Sequence, residues 1–352
     1  MDKKRQLTLE EYFASPDVPL RPIMTSLNGD NSWLLSFPRP PPDRLALGKA
    51  FYHVVFEPWL AGSTSMLSSW VIWISLSAKP DVSDPEAIEG VIRQIEALAA
   101  TGISVNDSQE ESSGDYTGDI DAILLGFHYL DHLHEPTLRL FNKNIPVIAI
   151  PEAVDIVKPW GHFESISTIK NFDPSFTSWQ DSGLHPGEPL PSWLTPIRMP
   201  GHHELNYCLA LVWSHADDSG EEVHEVMFQS PHGTRLDEGP LQAFLDSEPK
   251  TEKLAMLHGL KESYTAGMIT TLGAKGGLAF YRRIGGAKYW ILSHHSTLLY
   301  GGIFMRLSWT NDIHRTMDWA LGEESKAGGQ KADLDRPNMV QVENGGCVVL
   351  KI

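Results

Sequence analysis

Chemistry in this sequence would come from histidines and carboxylates that follow apolar runs. The segment Phe127-His128-Tyr129-Leu130-Asp131-His132-Leu133-His134 sets an Asp beside a His, with two more histidines close by. It follows the apolar stretch from Ile120 to Gly126. Imidazole nitrogens and carboxylate oxygens are the donors that Zn²⁺, Fe and Mn accept. Four further places share that setting. Pro200-Gly201-His202-His203 precedes the apolar run beginning at Tyr207. Pro231-His232-Gly233 follows the run from Val223 to Gln229. Ser293-His294-His295-Ser296 follows Tyr289 to Leu292, and Glu57-Pro58 ends the run from Phe51 to Phe56. Strand ends are where layered α/β folds build their sites. A second reading stays open for each place. Asp131 could simply orient the His132 ring and cap a helix starting near Pro136, and His202 and His232 could be ordinary loop and turn residues. Of His294 and His295, one is expected to face a pocket. His53, His162, His185, His215, His224, His258 and His314 are assigned to structural roles.

These residues need elements to hold them. Ser32 to Phe37, Phe51 to Phe56 and Val71 to Leu76 read as strands by their β-branched and aromatic content. Asp84-Pro85-Glu86 opens a helix, with Asp as cap and Pro in the first turn. Ile88, Val91, Ile92, Ile95 and Leu98 then recur at helical spacing up to Thr101-Gly102. Strand Ile120 to Gly126, helix Pro136 to Phe141, strand Ile145 to Ile150 and helix Pro151 to Val157 alternate, which predicts layered α/β architecture. Residues 172–200, rich in Pro, Ser and Gly, mark the expected boundary. Beyond it strands dominate, with helices expected at Leu241 to Leu245 and at Asp312 to Leu321. Gly273-Ala274-Lys275-Gly276-Gly277 lacks phosphate-loop spacing and reads as a turn. Residues 1–20 read as a polar arm, and residues 106–118 as an acidic surface loop.

Composition narrows the partners. Lys and Arg total 28 against 45 Asp and Glu, a formal charge of −17 over 352 residues. A surface this acidic is repelled by nucleic-acid phosphates and by anionic membranes, so a small-molecule substrate is expected, with neither nucleic acid nor membrane as partner. The two cysteines, Cys208 and Cys347, fit free thiols in a reducing compartment. The first residues lack the apolar stretch of a secretory signal, so a cytoplasmic location is expected.

In their order, these segments resemble the metallo-β-lactamase superfamily. Asp131-His132 is similar to the final pair of its His-x-His-x-Asp-His motif. Pro200-Gly201-His202 resembles its Pro-Gly-His segment, His232 falls where a metal-bridging Asp is usual, and Ser293-His294 resembles its last histidine. Glu57-Pro58 is similar to the early Asp-Pro turn that supports the metal loop. Asp131-His132-Leu133-His134 followed by Thr137-Leu138 resembles a divergent branch in which the leading histidines are eroded. Here those two positions hold Phe127 and Tyr129, and His128 is one residue out of phase. The resemblance implies a four-layer αββα sandwich. It implies one domain over residues 21–352, built of two α/β halves near 21–170 and 190–352. It further implies at most one ion, Zn or Fe/Mn, drawn from Asp131, His132, His134, His202, His232 and His294. The implied reaction is hydrolysis of an ester, thioester, amide or lactone, with Asp131 and His132 at the chemistry and Tyr129 donating to the developing oxyanion. The alternative is a metal-free member acting as an isomerase, cyclase or lyase, or as a non-catalytic binding protein.

Overall fold

A computed structural model of the chain describes residues 3–15, 19–66, 68–102, 118–201, 205–234, 236, 239–307, 309–328 and 336–351. Elements are numbered in chain order. One seven-stranded sheet runs β20 (Cys347–Val349), β1 (Ile23–Ser26), β2 (Trp33–Pro38), β3 (Phe51–Phe56), β6 (Ala122–Leu125), β7 (Val147–Ala149), β8 (Ile166–Thr168). Strands β3, β6, β7 and β8 are mutually parallel. That order requires crossovers, which α3 (Pro85–Gly102), α4 (Glu135–Leu138) and α5 (Pro151–Val157) supply. The Asp84 carboxylate caps α3 by accepting from the Ala87 N–H at 2.8 Å. Ile88, Val91, Ile92 and Ile95 then bury the face predicted by their spacing.

The second seven-stranded sheet runs β19 (Met339–Val340), β16 (Tyr289–Ile291), β13 (Glu252–Leu257), β12 (Glu222–Gln229), β11 (Cys208–Ala216), β10 (Leu194–Met199), β9 (Lys170–Asn171). Side-chain alternation along its strands decides the layering. Leu209, Leu211 and Trp213 of β11 join a core shared with the first sheet, whereas Cys208, Ala210 and Val212 join a separate core. That separate core is closed by α6 (Gly239–Asp246), α7 (Gly273–Arg283) and α9 (Met317–Lys326). The layers are thus helices, sheet, sheet, helices: the expected αββα sandwich. Two three-stranded sheets stand apart from it, β15 (Met268–Leu272), β14 (Lys261–Thr265), β18 (Asn311–His314) and β17 (Leu298–Gly301), β5 (Ile72–Leu76), β4 (Ser63–Met66). Helices α1 (Lys3–Phe13), α2 (Pro41–Leu47) and α8 (Ile303–Leu307) complete the set, with a 3₁₀ turn at Lys158–Trp160. No helix among the described residues is long and apolar enough to cross a membrane.

Three expectations from the sequence need correction. Residues 3–13 are helix α1, not a polar arm; Leu9 and Tyr12 are buried against the first sheet. Gly273 to Gly277 open α7 rather than forming a turn. A Cβ on Gly277 would sit 2.6 Å from Trp290 and 2.7 Å from His258, so this helix uses its glycine to lie close on the sheet. Asp312 belongs to β18, paired with β14, and the helix begins only at Met317, capped by Thr316. The acidic loop placed at 106–118 falls, but for residue 118, outside the described residues.

Candidate metal centre

Glu57 leaves β3 with a φ of 46° and His294 leaves β16 with a φ of 53°, left-handed backbone that only a surrounding structure can impose on non-glycine residues. Glu57 is fully buried, and its Oε2 lies 2.6 Å from His132 Nδ1. Asn31 Nδ2 lies 2.9 Å from the same nitrogen, but the shorter contact is to a carboxylate oxygen, which accepts, so the hydrogen is assigned to Nδ1 and Nε2 is turned away from Glu57. The His132 Nε2 is buried without a hydrogen-bond partner. His232, one turn beyond β12, has Nδ1 2.9 Å from the Thr271 hydroxyl, and its Nε2 is likewise buried and unpartnered. His294 is buried, its Nδ1 is unpartnered, and its Nε2 lies 3.3 Å from Asp131 Oδ2.

One donor atom from each of His132, His232 and His294 lies within 4.8 Å of the others. The His132 and His294 rings stack at 5.1 Å with 11° between their planes. Asp131 Oδ2 is 3.7 Å from His132 Nε2. Buried nitrogens left without partners are costly, and a shared cation is what satisfies several at once. The surroundings also suit an ion, since metal-binding imidazoles usually donate their second nitrogen to an oxygen acceptor, as His132 does to Glu57. The donor set therefore fits one metal ion held by three imidazoles with a carboxylate alongside.

The electrostatics agree. Burial lowers the proton affinity of His132, but Glu57 and Asp131 outweigh it and leave the imidazole pushed up to about 9. The same negative field favours a divalent cation at that point. Burial, reinforced by the neighbouring His294 and His132, holds His232 well below its ordinary value, as a neutral ring with a lone pair to give. Burial would raise Asp131, but His132 and His294 dominate and keep it a carboxylate, below the usual range.

The other residues singled out in the sequence lie elsewhere or in other roles. His134 stands outside the three-histidine cluster: its Nδ1 accepts from the Thr137 N–H and so caps α4. The sequence places it among the possible ligands, and in the structure the cap engages its Nδ1. His202 lies outside the described residues, as does His203. Tyr129 is half-buried, its ring 4.8 Å from Phe127. Of the His294–His295 pair, His294 faces the cluster, while His295 Nδ1 accepts from the Leu260 N–H. Cys208 is fully buried and its thiol is pushed up by burial, which fits packing. Several supporting residues carry no motif: Thr271; Asn31, whose amide donates to the Asp131 carbonyl at 3.2 Å; and Asp30, whose carbonyl accepts from the His294 N–H at 3.3 Å. The only signal for the latter two is the turn composition Asn28-Gly29-Asp30-Asn31.

The arrangement resembles solved structures. An isothiocyanate hydrolase from Delia radicum gut bacteria superposes with a TM-score of 0.50 at 14% identity, over 94% of this chain and all of that one. The fold is of the metallo-β-lactamase type. A possible metal-dependent hydrolase from Veillonella parvula is also similar, with a TM-score of 0.47, 12% identity, and coverage of 94% of this chain and 100% of that one. No family model matches the sequence, and no curated protein matches it.

Proposed function

We propose that this protein is a one-metal hydrolase acting on an ester, thioester, amide or lactone in a small organic substrate. The observation that carries the reading is the trio of histidine donors within 4.8 Å of one another, each ring with a buried nitrogen that nothing else satisfies. His132, His232 and His294 would hold the ion, with Asp131 beside two of them. When bound, such an ion polarises a carbonyl and brings the pKa of its water to about 7.

The chain's own groups have definite tasks. Glu57 fixes the tautomer and angle of His132 through Nδ1. Thr271 does the same for His232. Asp131 Oδ2, 3.3 Å from His294 Nε2 and 3.7 Å from His132 Nε2, would stay a carboxylate and orient the attacking water by accepting its hydrogen bond. Tyr129, half-buried on the Phe127 ring, is assigned to donate to the oxyanion that develops.

Elemental analysis of protein purified without chelators tests this. Near one equivalent of Zn, Fe or Mn is expected, lost in His232→Ala and in His294→Ala. A protein devoid of transition metal would refute the proposal and favour metal-free acid–base chemistry at Asp131 and His132, or a binding role.

A further inference from the structure

Helix α8 reads Ile-Phe-Met-Arg-Leu and buries none of its residues. Apolar helices form to cover a core, so this one lacks its partner. It is not alone. Of the thirteen exposed large hydrophobic side chains among the described residues, eight fall at Trp70 or between Met268 and Trp309. Trp309 is 83% exposed, Leu307 74%, Met268 69% and Trp70 67%. Scattered apolar residues are ordinary, but a concentration like this marks an interaction surface.

These residues share one ridge. The turn between β4 and β5 carries Trp70, whose carbonyl accepts from the Ile303 N–H at 3.0 Å, while the Val71 carbonyl accepts from the Phe304 N–H at 3.1 Å. On the other side, β18 pairs with β14, and the Thr310 hydroxyl lies 3.4 Å from that of Thr265, next to the hairpin turn that leads to Met268. Three adjoining reversals thus carry exposed apolar residues. Their charge is as distinctive as their polarity. Although the chain carries −17, it has no Asp or Glu from Pro58 to Pro80, from Ser263 to Leu272 or from Ser293 to Asn311. Lys79 and Arg306 are exposed there.

We propose that this ridge seats on the surface of a phospholipid bilayer. Tryptophans at the tips suit the interfacial zone, aliphatic side chains enter the acyl boundary, and Arg306 of α8 meets headgroup phosphates. Docking on lipid departs from the sequence expectation of no membrane partner: a charge of −17 disfavours an anionic surface but not a zwitterionic one. Exposed tryptophans beside aliphatic side chains suit a lipid interface, whereas a second copy would require a self-matching patch. The binding itself does not require the metal centre.

Co-sedimentation of the full chain with phosphatidylcholine vesicles, with tryptophan emission followed in parallel, tests the proposal. The wild-type chain should pellet with the vesicles and its emission should shift to the blue. Leu307→Ser with Trp309→Ser should weaken partitioning by about tenfold or more. Trp70→Ser, on a different reversal, should weaken it by a smaller factor. Leu45→Ser, 87% exposed but off the ridge, should change nothing. Unchanged melting temperatures would show that the variants fold. A wild-type chain that stays in the supernatant, or a double variant that binds as wild type does, would overturn the proposal. So would a wild-type chain that sediments as a dimer without vesicles and becomes monomeric in the double variant, because the ridge would then join two copies.

Discussion

Phe127 and His132 belong to one short loop and meet opposite surroundings. Phe127 has no exposure, and its ring packs against those of Tyr129 at 4.8 Å, His132 at 4.9 Å, Tyr207 at 5.0 Å and His232 at 5.3 Å. His132, equally buried, keeps a nitrogen that nothing touches by hydrogen bond. One end of the loop is filled with aromatic carbon, and the other retains polar donors around a common point. The contrast puts the gathered donors at the polar end, while a donor at position 127 would have to replace a ring already tied into the packing. It also gives Phe127 a task, because the aromatic wall dries the imidazoles and strengthens every charge interaction among them.

The largest expected effect lies on the polar side. His232→Ala should weaken ion binding by more than about 100-fold, beyond the 10–100-fold typical of losing a ligand's supporting partner, as read by equilibrium dialysis. On the aromatic side, Phe127→Ala should cost about 3–5 kcal/mol in urea unfolding while the ion stoichiometry stays the same. The contrast breaks if Phe127→His with Tyr129→His takes up a second equivalent of metal without a lower melting temperature. Glu57→Gln sharpens it: affinity should fall by about 10–100-fold with stoichiometry retained.

The smallest effect concerns a carboxylate–imidazole pair that no ion should claim. His53 Nε2 lies 2.9 Å from Glu96, whose carboxylate also accepts from the Ala50 and Phe51 amides. Burial would raise the Glu96 pKa, but these partners outweigh it and hold it below the ordinary value. A depressed carboxyl stabilises the fold above its unfolded pKa, and that contribution is lost as pH falls through the folded one. Glu96→Gln should therefore cost about 1 kcal/mol at neutral pH, with the difference shrinking in acid, and chelators should leave it unchanged.

The sandwich and the cluster were legible because both rest on local signals. Apolar runs ending in His or Glu mark parallel strands and their carboxyl ends, so His132, His232, His294 and Glu57 could be read one by one. What was not legible depends on pairing across distance. Asp312 reads as the start of a helix until β14 offers it a strand partner. Gly273 to Gly277 read as a turn until Trp290 and His258 require a helix with no Cβ at the contact. Thr271 and Asn31 support the imidazoles from segments without any motif. His134 reads like a ligand among metal-like neighbours, while a local backbone amide engages its Nδ1.

The edge of the first sheet has a consequence for how the chain is made. Strand β1 lies between β2 and β20, and Ile23 pairs with Ser36 on one side and Val349 on the other. During synthesis β1 and β2 can pair early, but the outer edge of β1 stays bare until residues 347–349 emerge. A nascent chain therefore displays an open strand edge while everything between β1 and β20 is made. That is the period in which pairing with another chain, or protection by a chaperone, would matter most.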